Sequence, residues 1–161
     1  MKTRLALFAT SLMLCASSSW AQIERKDLQI FNDVSNAVNS YSYFTIFDDV
    51  SASVESGNVT LHGKVTQPFK GSDIEKRVAK IDGVRHVTNR IEVLPLSGFD
   101  QELRYRIARS IYSNSNFWNY AIMANPPIHI IVDHGHVTLT GVVQSNVDRM
   151  LARSLATQFG A

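Results

Sequence analysis

The chain has 161 residues, of which 45% are apolar and 19% are charged, and its formal net charge is +2. This composition is typical of a folded globular protein and excludes collagen-like, disordered and multi-pass membrane proteins. Lys2 and Arg4 supply the whole positive excess, because Lys and Arg together number 16 and Asp and Glu together number 14. The charge balance therefore gives no reason to expect a nucleic-acid partner.

The N-terminus has the pattern of a secretory signal peptide. Two basic residues precede an apolar run from Leu5 to Ala16, which ends in small residues. The run is shorter than the roughly 18 to 20 apolar residues that a membrane-spanning helix needs. Ser19 and Ala21 have the small side chains that signal peptidases require. We therefore expect residues 1–21 to be removed after export to the periplasm, leaving Gln22 as the first residue.

The single cysteine, Cys15, lies inside this predicted signal. After its removal the chain could form neither a disulfide nor a cysteine zinc cluster, and it would have no thiol nucleophile. Lipid attachment at Cys15 is an alternative, but the preceding residue should be small and here it is Leu14.

An internal repeat organises the rest of the chain. Residues 54–65, VESGNVTLHGKV, and residues 132–143, VDHGHVTLTGVV, are identical at seven of twelve positions. In both segments apolar residues alternate with polar ones around a glycine-containing turn, which predicts a β-hairpin with one buried face. Two copies of one small module are therefore expected.

Helices are predicted on both sides of each hairpin. The first helices carry apolar residues at i, i+4 and i+8, with Asp27 and Asp100 as expected N-caps. These stripes are Ile30, Val34 and Val38 in the first copy and Leu103, Ile107 and Ile111 in the second. The second helices are predicted from Ile74, Val78 and Ile81 and from Val147, Leu151 and Leu155. In the first copy a third strand, Arg85 to Leu94, follows.

The predicted fold class is α+β, with two tandem α-β-β-α-β modules. Each module would be a small three-stranded sheet with two helices on one face. Residues 25–95 form the first module and residues 98–161 the second, which reaches Ala161 before its third strand. Either the sequence is truncated there or the second sheet has an unpaired edge, which tends to recruit another strand. Five glycines have expected roles in turns, a helix end or close packing: Gly57, Gly63, Gly83, Gly135 and Gly141.

These motifs resemble the BON domain, a module of bacterial envelope proteins. The two hairpins match its G-x-V-x-L-x-G-x-V pattern, and residues 81–91, IDGVRHVTNRI, are similar to the end of the domain. The resemblance implies two tandem non-enzymatic domains that bind phospholipid, with a role in osmotic or envelope stress and without a cofactor. A protein-binding role, as a periplasmic chaperone or assembly adaptor, is the alternative. The expected partner is thus an anionic phospholipid membrane or an envelope protein.

One segment suggests where an anionic membrane would bind. Arginines on the helix after residue 100 lie off its apolar stripe, and a five-residue insertion after that helix supplies aromatic residues. Guanidinium groups beside aromatic rings suit lipid headgroups. The candidate residues are Arg104, Arg106, Arg109, Phe117, Trp118 and Tyr120. A solvated helix face with aromatic residues completing a small core is an equally good interpretation.

Two further features concern the second hairpin. His129, His134 and His136 fall within eight residues, but their positions along the hairpin should keep their rings apart, so no metal site is predicted. The outward face of the second hairpin carries Ile131 and Val142, which is consistent with a contact between the copies or with a partner protein.

Overall fold

A computed structural model describes the backbone of residues 17–159 and the side chains of residues 26–159. The first copy consists of α1 (Ser17–Asn39), β1 (Asp49–Glu55), β2 (Asn58–Val65), α2 (Pro68–Val78) and β3 (His86–Val93). The second consists of α3 (Gly98–Tyr112), a 3-10 turn (Ser115–Phe117), α4 (Trp118–Ala121), β4 (Ile128–Asp133), β5 (His136–Gly141) and α5 (Asn146–Thr157). Most of the predicted signal, residues 1–16, lies outside the described residues.

The sheets confirm the predicted α+β fold class. In the first copy β1 pairs antiparallel with β2, and β3 pairs parallel with the other edge of β2. In the second copy β4 and β5 form an antiparallel pair, so within residues 98–159 this copy has two strands where the first has three. Both hairpin turns, Ser56-Gly57 and His134-Gly135, have positive φ at both residues. That is the type I′ geometry whose twist matches two adjoining strands.

The predicted N-caps Asp27 and Asp100 were wrong. Helix α1 begins at Ser17, and α3 is capped by Ser97, whose hydroxyl accepts a hydrogen bond from the Asp100 amide. Each aspartate instead binds the hairpin turn of its own copy. The Asp27 carboxylate accepts from the amides of Ser56 and Gly57 at 2.7 and 2.9 Å.

Asp100 makes the same contact in the second copy. Its carboxylate accepts from the amides of His134 and Gly135 at 3.0 and 2.8 Å. The helix-to-hairpin clamp is thus part of the repeat, and it satisfies turn amides that the hairpin itself cannot pair.

The predicted apolar stripe of α5 was wrong at Val147, whereas Leu151 and Leu155 are partly buried against the core of the second copy. Val147 is 72% exposed, whereas Ala152 and Ala156 are buried. Helix α5 begins 78 residues after α2, the same offset as the hairpins, so these alanines occupy the positions of Ile74 and Val78. In the first copy Ile81 lies beyond the end of α2.

Gly63 and Gly141 stand where each hairpin's second strand passes very close to the first. A β-carbon on Gly63 would lie 2.0 Å from the carbonyl oxygen of Asp49, and one on Gly141 would lie 1.7 Å from that of Pro127. Their φ angles are +130° and +112°. Only glycine fits without displacing the neighbouring backbone.

The two copies are joined by the segment that precedes β1. Residues 46–48 lie before β1, and the Ile46 carbonyl accepts a hydrogen bond of 2.7 Å from the amide of Ile130 in β4. The side chains of Ile46 and Phe47 pack against the core of the second copy. One backbone hydrogen bond therefore links the edge of β4 that β5 leaves free to the first copy.

Side chains around this junction add further contacts between the copies. Nδ1 of His129 lies 2.6 Å from the Asp48 carbonyl, and the His129 ring is 5.4 Å from that of Phe44. Lys64 forms an ion pair with Asp133. Ile131, predicted to face a partner or the other copy, is only 6% exposed and lies with Lys64 along a shared cleft. This position of Ile131 favours the contact between copies, whereas Val142 lies beyond the end of β5 and is 75% exposed.

A buried carboxylate fixes the joining segment. Asp48 is fully buried and receives hydrogen bonds from the amides and hydroxyls of Thr45 and Thr66 at 2.7–2.9 Å. The ammonium of Lys70, which is also buried, donates to Asp48 at 2.6 Å. Burial alone would raise the pKa of Asp48, but the hydrogen bonds from Lys70, Thr66 and Thr45 outweigh it and hold that pKa below its usual 3.8.

We predict that Asp48→Asn lowers the free energy of unfolding by about 3–5 kcal/mol, because it leaves the Lys70 ammonium buried without its counter-charge. The measurement is urea unfolding near pH 7. Asp49→Asn is the matched control, since the Asp49 side chain is only partly buried. Equal losses in the two variants would contradict the prediction.

The same carboxylate predicts an acid dependence. Its pKa is lower in the folded chain than the ordinary 3.8, so its stabilising effect is complete well above that pH and declines as the pH falls below it. The Asp48→Asn variant lacks this carboxylate and its acid dependence. The difference in the free energy of unfolding between this variant and the unaltered chain should therefore become smaller as the pH falls.

Candidate functional site

The insertion in the second copy forms α4, which is held on the module by two aromatic side chains. Phe117 is fully buried in the core, and Tyr120 is 5% exposed with its ring 5.9 Å from that of Phe117. The Tyr120 hydroxyl donates to the Asp148 carboxylate at 3.2 Å and accepts from the Gln144 amide at 2.8 Å. Helix α4 is therefore anchored beside the start of α5.

Three of the six candidate lipid-binding residues are buried and cannot contact a membrane surface. Phe117 and Tyr120 complete the core of the second copy, in which the small side chains of α5, Ala152 and Ala156, leave space for large ones. Arg104 is 7% exposed and donates from Nη2 to the Val132 carbonyl at 2.6 Å. The predicted patch is corrected accordingly.

The other three candidates are exposed. Trp118 is 64% exposed, and Arg106 and Arg109 lie on the outer side of α3. The guanidinium of Arg106 is 5.1 Å from the centre of the Phe159 ring, so it already has a cation–π partner.

Two neighbours of Trp118 were missed in the sequence. Ile122 is 64% exposed and Met123 is 45% exposed, so three large apolar side chains emerge from one short helix and its end. A signal was present, because Trp118 and Ile122 are four residues apart and Phe117 and Tyr120 are three apart. That spacing separates an outer from an inner face. We call Trp118, Ile122 and Met123 the α4 apolar patch.

The first copy has a smaller apolar patch of its own. Tyr43 is 61% exposed and Phe69 is 46% exposed, and their rings meet edge to face at 5.7 Å. The neighbouring Tyr41 is buried and donates to Asp73 at 2.9 Å. Burial, together with that hydrogen bond, raises the pKa of Tyr41 to about 12. In both copies, therefore, a tyrosine that precedes the hairpin donates a hydrogen bond to an aspartate of the helix that follows the hairpin. These pairs are Tyr41 with Asp73 of α2 and Tyr120 with Asp148 of α5.

The histidines make separate contacts. Nδ1 of His129 faces the Asp48 carbonyl, Nδ1 of His134 lies 2.6 Å from the Asp133 carboxylate, and His136 is exposed. Within the side chains described, residues 26–159, no group of three or more His, Cys, Asp and Glu side chains has the arrangement of a metal site.

Comparison with protein families explains the duplicated architecture. The BON domain model matches the chain twice, over residues 26–95 and 102–160. The chain belongs to the BON domain family. The BON domain is in general a non-enzymatic binding domain, associated with phospholipid binding and with envelope and osmotic stress proteins. No curated protein matches the chain closely enough to be counted as a relative.

Membership of the BON family also bears on location. Proteins with this domain are typically periplasmic or membrane-associated. Among the helices described in this chain, none combines the length and the apolar character that crossing a bilayer requires.

We predict that Arg104 and Arg109 respond differently to substitution. Arg104→Ala should lower the free energy of unfolding by about 1–3 kcal/mol, since it leaves the buried Val132 carbonyl without its donor. Arg109→Ala on the same helix should change it by about 0.5 kcal/mol or less, as is usual for exposed positions. Thermal or urea unfolding measures both. An Arg104 variant as stable as the Arg109 variant would contradict the structural role.

Proposed function

We propose that this BON protein is exported to the periplasm and binds the surface of anionic phospholipid membranes through the α4 apolar patch. The observation that carries the proposal is the exposure of Trp118, Ile122 and Met123 on an element whose inner side is firmly packed. An exposed cluster of this kind on a soluble module is a contact surface.

The chemistry of the patch suits the boundary between headgroups and acyl chains. A tryptophan ring sits favourably at that depth because its apolar body enters the lipid while its N–H meets water. Ile122 and Met123 add apolar area that would leave water. Because Phe117 and Tyr120 fix α4, little conformational entropy is lost on binding, which favours reversible surface attachment.

Charge makes a secondary contribution. Arg106 and Arg109 are exposed on α3, the helix that leads into the insertion, and can approach lipid phosphates. The chain from residue 22 onward has equal numbers of basic and acidic residues, since Lys2 and Arg4 supply the excess. Attraction to anionic lipid should therefore be local, and salt should weaken it without abolishing binding.

We predict that Trp118→Ala combined with Ile122→Ala removes most binding to phosphatidylglycerol vesicles, measured by co-sedimentation of the protein starting at Gln22. That starting point keeps the apolar run of the predicted signal from binding lipid. Tyr43→Ala combined with Phe69→Ala is the matched control, because it removes the exposed apolar pair of the first copy. Arg106→Ala with Arg109→Ala should lower binding at low salt only.

Each alternative result has a distinct meaning. Loss of binding in the Tyr43/Phe69 variant with binding retained in the Trp118/Ile122 variant would move the site to the first copy. No binding of the unaltered protein at any salt concentration or lipid composition would refute the membrane function.

We also predict that the exported protein begins at Gln22. Ser19 and Ala21 provide the small residues that a signal peptidase recognises, so cleavage should follow Ala21. N-terminal sequencing of the protein recovered from the periplasmic fraction measures this. A start at Met1, or a lipid-modified start at Cys15, would contradict it.

A further inference from the structure

A small cavity, here called the junction cavity, lies where the two copies meet. Its volume is about 150 Å³. The turn between β2 and α2, the linker before α3 and the first turns of α3 form its walls. Among the described residues that line it none is acidic, and the one charged side chain is an arginine. The polar lining residues are Thr66, Gln67, Ser97, Gln101, Arg104 and Tyr105.

The arginine of the cavity, Arg104, has more donors than partners. It is 7% exposed, and its guanidinium makes the single hydrogen bond from Nη2 to the Val132 carbonyl. Its Nε is buried and has no hydrogen-bond partner among the described residues. No carboxylate in that part of the chain forms an ion pair with it. A buried cation in this state is costly unless a counter-charge compensates it.

The repeat indicates that the fold itself does not require an arginine at this position. The apolar stripes of the first helices are offset by 73 residues, as Ile30 and Leu103 show, so Arg104 corresponds to Phe31. Phe31 is apolar and 41% exposed, and the first copy still forms the same helix and hairpin. Arg104 is therefore particular to the second copy, where it lies beside the junction.

Two helices begin at the junction cavity. Gln67 is the N-cap of α2 and Ser97 is the N-cap of α3, and both line the cavity. The N-terminus of a helix carries partial positive charge and favours anions. The Gln67 side chain makes no capping hydrogen bond. The Ser97 hydroxyl accepts from the Asp100 amide, so its own proton is available for a second partner.

The buried carboxylates near the cavity do not oppose an anion strongly. Asp48, which binds the Thr66 hydroxyl, is neutralised by the ammonium of Lys70. Asp100 on α3 is held by the amides of His134 and Gly135 in the hairpin turn. The positive charge of Arg104 is therefore the one in the cavity wall that lacks a counter-charge among the described residues.

We propose that the junction cavity binds a small free oxyanion of the phosphate type. The Nε of Arg104 would donate to it with full charge assistance, and Ser97, Gln67 and Gln101 can donate further hydrogen bonds. The cavity is smaller than the roughly 300–1,000 Å³ of pockets for drug-sized ligands, which favours an ion over a larger molecule.

Such an ion would also connect the two copies. Gln67 belongs to the first copy, whereas Ser97, Gln101 and Arg104 belong to the linker and the second copy. A ligand that binds both sides of a junction stabilises the docked arrangement by mass action. The proposal therefore assigns the cavity a role in docking that depends on the concentration of the anion.

The probe is inorganic phosphate, titrated into the protein starting at Gln22 at constant ionic strength set with chloride. Isothermal titration calorimetry should show saturable binding at a single site, and the melting temperature should rise with phosphate but not with chloride. Arg104→Lys keeps a positive charge but lacks Nε, so its affinity should be about tenfold lower or weaker still. Unchanged affinity in this variant would overturn the proposal.

A second pair of variants leaves Arg104 and the core in place. Gln67→Glu with Gln101→Glu adds two carboxylates at exposed positions of the cavity wall and should abolish measurable phosphate binding. Gln29→Glu with Gln144→Glu is the matched control, because it makes the same charge change at exposed positions outside the cavity. Circular dichroism confirms that each variant is folded. Equal losses in the two pairs would show that net charge alone decides binding, which contradicts a specific site.

The position of the ion is tested by nitrogen–proton NMR. Phosphate should shift the Nε–H signal of Arg104 and the amide signals of Ser97 and Gln101. Shifts confined to the exposed arginines Arg106 and Arg109 would overturn the proposal. So would vesicle binding that is lost in the Gln67/Gln101 variant when free phosphate does not bind, because the cavity would then hold a lipid headgroup.

This test is independent of the proposed membrane function. The Trp118/Ile122 variant, which should lose vesicle binding, should bind phosphate as the unaltered chain does. The Gln67/Gln101 variant should lose phosphate and keep most vesicle binding, since α4 is unchanged. Failure of one proposal therefore leaves the other standing.

Discussion

The ion pair between Asp48 and Lys70 is the constraint on which the arrangement of the two copies depends. Five hydrogen bonds converge on the Asp48 carboxylate, which is fully buried. They tie the segment before β1 to the end of β2 and to α2. The segment is therefore rigid where it leaves its own module and enters the other. The charge of Asp48 can be buried there because Lys70 supplies the counter-charge and hydrogen bonds satisfy the carboxylate oxygens.

The segment that Asp48 holds supplies the second copy with contacts that its own two strands do not make. The backbone of residue 46 pairs with the free edge of β4, and Ile46 and Phe47 enlarge a core that the small side chains of α5 leave thin. An exposed strand edge is prone to unwanted pairing, and this contact covers one of the two edges. Within the described residues of the second copy, no strand pairs with the outer edge of β5.

The repeat shows how one scaffold carries two different surfaces. Both copies retain the aspartate that clamps the hairpin turn, the type I′ turn and the glycine at the close approach of the strands. They differ in the connection before the hairpin, where the second copy inserts α4, and in the second helix, where arginines and alanines replace residues that contact β3. The first of these differences is the surface proposed to bind lipid.

Much of the scaffold could be predicted from local patterns. Period-two alternation around glycine turns identified both hairpins, and the recurrence of twelve residues identified the modules and the BON family. Boundaries were less predictable. Ile46 has the β-branched side chain of a strand residue, but its pairing partner lies in the other copy, and no local pattern indicates this.

The candidate site was predicted only in part, for a physical reason. Sequence spacing places Arg104, Phe117 and Tyr120 beside residues that are exposed. It does not show which side of α3, or of the inserted helix α4, meets the core. That choice was made by distant groups: the Val132 carbonyl that binds Arg104, and the Asp148 carboxylate and Gln144 amide that bind Tyr120.

The sequence by itself thus determined the repeated module, because its signals are carried by residues close together in the chain. Only the tertiary structure decided how the copies dock and which candidate residues are exposed. Those properties arise from contacts between residues far apart in sequence, where burial and hydrogen bonding, and not local periodicity, set the outcome.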